Sequence, residues 1–157
     1  IMCNYGTPVM AAKEGHVLTI QDGQNIPPPF RNQLLKISKN LFETPPEILR
    51  VMHGRHIIID HGVINGRWIV TVYSHLSEVV GNIKVGDFVR QGQIIGFVGN
   101  SGTGSEGTEQ QPHLHFEIRV NGHYLGEAMT SKEAGRLYKV VLNDGAHKLS
   151  KAEELVR

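Results

Sequence analysis

Two histidines stand two residues apart in the segment Pro112-His113-Leu114-His115-Phe116-Glu117-Ile118-Arg119-Val120. On an extended backbone they point the same way, because successive side chains of a strand alternate between faces. One face is then Leu114, Phe116, Ile118 and Val120, wholly apolar and suited to a core. The other is His113, His115, Glu117 and Arg119, wholly polar. Parallel imidazoles about 7 Å apart at the backbone suit one for binding a metal and its neighbour for acting on water or substrate beside it. The pattern equally fits a solvated sheet face that carries two histidines by chance, since a metal site needs a third and usually a fourth ligand.

A second constellation lies in Trp68 to Leu76. Val70, Val72, Ser74 and Leu76 alternate with Ile69, Thr71, Tyr73 and His75, and the second set turns polar towards its end. This alternation places His75 at a rim beside Tyr73 and Thr71. A single histidine at a strand end is ordinarily a surface residue. It gains chemical meaning only if its strand lies beside the one carrying His113. His16, His53, His56, His61 and His123 have no partner that the sequence assigns, and read as surface or packing residues.

The elements that must position these groups are short. In 157 residues there are eighteen glycines and an aromatic fraction of 6%, which favours turns and brief strands over long helices. Strand-like segments run from Val9 to Ile20, through Ile57-Ile58-Ile59, Trp68 to Leu76, Val85 to Val89 and Gly92 to Val98, and from Leu114 to Val120. Asn65-Gly66 marks a hairpin. Residues 24–52 change character: after Pro27-Pro28-Pro29, the residues Phe30, Leu34, Ile37 and Leu41 recur at helical spacing, and Thr44 to Glu47 reads as a capping box opening a second helix. The basic helix reads as a solvated face packed on the sandwich, or as a wall of a substrate groove. The expectation is an all-β antiparallel sandwich over residues 1–126 with a helical insertion at 24–52. Residues 127–157 form a partly helical appendage, with a capping box at Ser150 to Glu153.

Composition excludes several classes. Sixteen basic and fifteen acidic side chains give a formal charge of +1, no electrostatic footprint for nucleic acid. No apolar run approaches the roughly 18 residues of a membrane span. One cysteine, Cys3, allows neither an internal disulfide nor a thiolate zinc site. Gly102-Thr103-Gly104-Ser105-Glu106-Gly107 has dinucleotide-fingerprint spacing, but a strand follows it where that fold requires a helix. Val85 to Gly96 echoes a biotinyl or lipoyl carrier, yet Lys84 lacks the flanking residues of a modified lysine.

Four motifs in order carry a closer likeness. Gly6-Thr7-Pro8-Val9, Ile58-Ile59-Asp60-His61-Gly62, Thr71-Val72-Tyr73-Ser74-His75-Leu76 with Val85 to Gly96, and His113-Leu114-His115-Phe116-Glu117 resemble the lysostaphin/LytM-type metalloendopeptidases over residues 5–20 and 56–126. That resemblance implies a sandwich of the duplicated hybrid motif type and a zinc cofactor. It makes His115 a zinc ligand, puts His75 and His113 on either side of the attacking water, and sets Tyr73 against the substrate. It also implies peptidoglycan cross-link peptides as substrate and action in the cell envelope or outside the cell.

The family's other two ligands form a His-x-x-x-Asp motif, whose Asp would fall immediately before Ile1; Cys3 and Asn4 lie at the wrong spacing to replace it. The expectation is therefore a truncated zinc peptidase, the 157-residue chain alone holding zinc poorly and being inactive. The competing expectation is a degenerate, metal-free domain that binds cell wall or activates a partner hydrolase.

Overall fold

Short β-branched runs between glycine turns form nine strands among the described residues of the computed structural model, which are 1–23, 26–102, 112–127 and 129–144. They are β1 (Pro8–Met10), β2 (Gly15–Gln21), β3 (His56–Ile64), β4 (Arg67–Ser74), β5 (Leu76–Val79), β6 (Phe88–Val89), β7 (Ile94–Val98), β8 (His115–Val120) and β9 (His123–Tyr124). All pairings are antiparallel. A large sheet runs β6-β2-β3-β4-β8-β9 and a small one β1-β7-β5. The fold is thus the expected all-β sandwich.

The segment Val9 to Ile20 divides into β1 and β2, which belong to different sheets. Gly15 opens β2 where it lies so close to the Asp60 carbonyl that a side chain would not fit. The Asn65-Gly66 turn forms as its residues require, both with positive φ, at 51° and 76°, which matches the twist of the strands it joins. Between the sheets, Val17, Ile57, Ile59 and Tyr73 of the large sheet meet Val9, Leu76, Ile95 and Val98. Alternation decides which isoleucines contribute: Ile57 and Ile59 are fully buried there, while Ile58 faces the other way.

Two helices, α1 (Pro28–Leu41) and α2 (Pro46–His53), form the insertion between β2 and β3. Its two ends lie side by side, since Gln21 pairs with His56. Gly23 sits against the backbone of Gly54 and Arg55 too closely for any side chain. The anticipated capping box at Thr44 to Glu47 does not form. Pro45 is the N-cap of α2 and no side chain caps it, because the Pro45-Pro46 pair moves the helix start one residue past Thr44. Nor does α1 pack its apolar stripe fully: Phe30, Ile37 and Leu41 remain exposed, and the helix buries no residue completely.

The C-terminal helix α3 (Ser131–Asp144) begins on a capping box that the sequence reading passed over. Thr130 N–H donates to Glu133 Oε2 at 2.8 Å and Glu133 N–H to Thr130 Oγ1 at 3.4 Å. Tyr138 packs with Ile69, Ile118 and Leu125 at one end of the large sheet. The capping box proposed at Ser150 to Glu153, and the glycine-rich loop beyond Gly102, lie outside the described residues.

Candidate active site

The condition set by the sequence is met, because β4 and β8 are neighbours. Ser74 pairs with His115, Val72 with Glu117 and Val70 with Arg119. These pairs share the face of the large sheet turned away from the sandwich interior, while Tyr73 with Phe116 and Thr71 with Ile118 share the inner one.

His75 departs from the expected alternation. It follows the last residue of β4 with φ +63°, a left-handed conformation that costs a non-glycine residue energy. The turn rotates its ring off the Tyr73 face and onto the side of Ser74. There its centroid lies 4.8 Å from that of His113 and 5.7 Å from that of His115.

Backbone bonds hold this turn in place. His75 N–H donates to the His53 carbonyl at 3.0 Å and Leu76 N–H to the Arg55 carbonyl at 3.0 Å. Ser101 Oγ bridges from the Arg55 N–H to the Leu76 carbonyl. The Nδ1 of His75 lies 2.8 Å from the Ser101 carbonyl. A carbonyl only accepts, so Nδ1 carries the proton and Nε2 keeps its lone pair. Burial is the main cause that lowers the His75 pKa to about 4, with the nearby His113, His115 and His53 adding to it. His75 is therefore neutral near pH 7.

His53, read from sequence as a packing residue, enters this cluster from the end of α2. Its ring centroid lies 5.3 Å from that of His115, and its Nδ1 is 3.0 Å from Ser74 Oγ. The Nε2 stands 3.3 Å from Glu117 Oε1 but is not aligned on it, so this buried nitrogen lacks a hydrogen-bond partner. His115 Nε2 is 2.6 Å from the same oxygen. Arg119 takes the other oxygen, Oε2, through Nε at 2.8 Å and Nη2 at 2.7 Å. Burial raises the Glu117 pKa, but the interactions with His115, His53 and Arg119 outweigh it and hold the carboxyl well below the usual range.

A cavity of about 470 Å³ opens onto this cluster. His53, His75, His113, His115 and Glu117 line it, together with Leu49 and Met52. Arg31, Leu49, Met52 and His53 come from the insertion, which thereby supplies one wall. Imidazole and carboxylate donors, with a buried imidazole nitrogen left unsatisfied, make a donor set that fits zinc.

Tyr73 lies elsewhere. It is 1% exposed, in the core between the sheets, because alternation sends it to the inner face. Its Oη accepts from Ala12 N–H at 2.8 Å and is hydrogen-bonded to Thr71 Oγ1, which also meets His61 Nε2. Tyr73 is thus a structural residue, not one that touches a substrate in this cavity. Tyr73→Phe leaves the Ala12 N–H without its acceptor and is expected to cost about 1–3 kcal/mol. Urea unfolding should show that loss, with KM for any substrate unchanged.

Glu117 was legible as a member of the polar strand face, but His53 had no signal beyond its place at a helix end before Gly54. One formal match to the absent ligand motif does occur, His56-Ile57-Ile58-Ile59-Asp60. It lies on β3, where residues four apart are about 13 Å apart and cannot share an ion. Asp60 Oδ1 is moreover engaged by Gly62 N–H and Trp68 Nε1.

The chain is similar to several known proteins. The chain is 42% identical over 64 residues to lysostaphin from Staphylococcus staphylolyticus, 41% of this chain and 11% of that protein. It is 39% identical over 71 residues to the peptidoglycan DD-endopeptidase ShyA from Vibrio cholerae, 44% of this chain and 14% of that protein. The chain thus matches only a small part of the length of these relatives. Its fold is similar to the catalytic domain of a variant of the prophage-encoded M23 protein EnpA from Enterococcus faecalis, with a TM-score of 0.50 and 24% identity over 83% of this chain and 74% of that one. The sequence model of peptidase family M23 matches residues 1–126, and the chain belongs to that family.

Proposed function

We propose that this chain carries the catalytic histidines of a zinc-dependent endopeptidase that hydrolyses peptide cross-links of bacterial peptidoglycan, in the cell envelope or outside the cell. The observation that carries the reading is the convergence of His75, His113 and His115 on one cavity, from separate segments of the chain. The peptidoglycan endopeptidase named among the relatives supports the substrate class. Among the described residues no helix is long and apolar enough to cross a membrane.

Zinc, when bound, polarises the scissile carbonyl and makes water nucleophilic near neutral pH. His115 is the residue of this chain that holds it in the family pattern. His75, neutral and with Nε2 unprotonated, accepts the proton of the attacking water. His113, its ring 4.8 Å away, stabilises the negative charge that develops on the carbonyl oxygen. Leu49 and Met52 line the same cavity beside these histidines.

The test is digestion of purified peptidoglycan by the purified protein, read as released muropeptides by mass spectrometry. Cleavage of cross-links should stop on chelation and return with zinc. An unchanged muropeptide profile from protein with stoichiometric zinc would overturn the reading. Absence of both zinc and cleavage would favour a metal-free wall-binding domain.

A further inference from the structure

We propose that Arg31 of the insertion is a specificity residue, which binds a free carboxylate beside the scissile bond of the peptide taken into the cavity. The inference deepens the peptidase reading and rests on it only for the peptide nature of the ligand. Three observations carry it. Arg31 lines the same cavity of about 470 Å³ as His75, His113 and His115. Its Nε is buried without a hydrogen-bond partner, and its guanidinium makes no ion pair among the described residues. The first turn of α1, where Arg31 stands, holds no acidic side chain, and no side chain caps it.

A guanidinium is always charged and carries donors only. Burying one of those donors without an acceptor is costly, and the cavity wall offers none. Glu117 is the only carboxylate among the described residues that line the cavity. It is already engaged, with Arg119 on Oε2 and His115 Nε2 at 2.6 Å from Oε1. The wall therefore presents a cation with no counter-charge. The helix end has the same sign, since the N-terminus of a helix favours an anion and disfavours a cation such as Arg31. An anion in the cavity answers both. The anion that a peptide supplies is a carboxylate, whose two oxygens match the fork of the guanidinium. A peptide amidated at that position covers the guanidinium without giving it an acceptor. Arg31 thus acts on which peptide is taken, while the histidines act on the bond.

The test is titration of the 157-residue chain with acetyl-D-alanyl-D-alanine and with its C-terminal amide. NMR of the Leu49 and Met52 methyl groups, which line this cavity, reads the binding and places it. The acid is expected to bind roughly 10–100-fold more tightly than the amide, the range for a hydrogen bond to a charged group. Arg31→Gln should abolish that preference and leave the affinity for the amide as it is in the parent. Arg31→Lys, which keeps the charge and loses the fork, should retain part of it. Circular dichroism and urea midpoints establish that each variant is folded. No binding of the acid to the parent, equal binding of acid and amide, or a preference that survives in folded Arg31→Gln would each overturn the assignment. The titration needs no turnover, so none of these results touches the peptidase reading, which stands or falls on cleavage of cross-links by the purified protein.

Discussion

His75→Ala is expected to lower kcat/KM for cross-link cleavage by about 10²–10⁴-fold, the range for loss of a general acid–base group, with KM and zinc content little changed. The ring is fixed by Ser101 through Nδ1 and by its own backbone bond to the His53 carbonyl, which leaves Nε2 as the nitrogen that can take a proton. Its pKa, lowered to about 4 chiefly by burial, keeps that nitrogen unprotonated across the physiological range. Alanine at φ +63° is itself strained, which could weaken the turn. His75→Asn separates the two effects, since asparagine tolerates the left-handed region: it should retain the stability of the parent and lose the same activity. Less than tenfold loss in both variants would remove His75 from the chemistry.

Ile57→Ala is expected to destabilise the protein by about 2–5 kcal/mol, the range for emptying a packed aliphatic position. Ile57 is 0% exposed and pairs with Tyr73 in the middle of the large sheet. Val63, on the same strand but 71% exposed, provides the contrast. Val63→Ala should stay within about 0.5 kcal/mol of the parent. Urea midpoints at constant m-value give both numbers directly. Equal effects at the two positions would mean that the strand does not face the interior as described.

The polar and apolar faces of β8 were legible because period-2 alternation is a rigid consequence of extended backbone, and His115, Glu117 and Arg119 fall where it puts them. The Asn65-Gly66 hairpin was legible for an equally local reason. His75 and Tyr73 were assigned to one face by the same rule, which fails at a single residue with positive φ. That turn is imposed by hydrogen bonds from Ser101 and His53, 26 and 22 residues away in sequence, and no window around His75 contains them. His53 was illegible altogether. Its role depends on how α2 docks against the loop at Ser101, where Gly54 and Gly102 meet backbone to backbone. The N-cap of α2 was misplaced by one residue because a Pro-Pro pair satisfies the helix start without any side-chain acceptor.

The narrow neck between β2 and β3 makes the cavity wall separable from the framework that carries the chemistry. Antiparallel neighbours need only a short connection, and a stretch of about thirty residues in its place is roughly three doublings of a four-residue loop, each costing about 0.6 kcal/mol. Since Gln21 and His56 remain paired at the base, helices of other lengths and surfaces can be spliced at this junction without altering strand register. Of the residues at the cluster, only His53 would leave with the transplanted piece. The shape of one cavity wall can therefore vary while the strands that carry His115 and lead into the His75 turn keep their register.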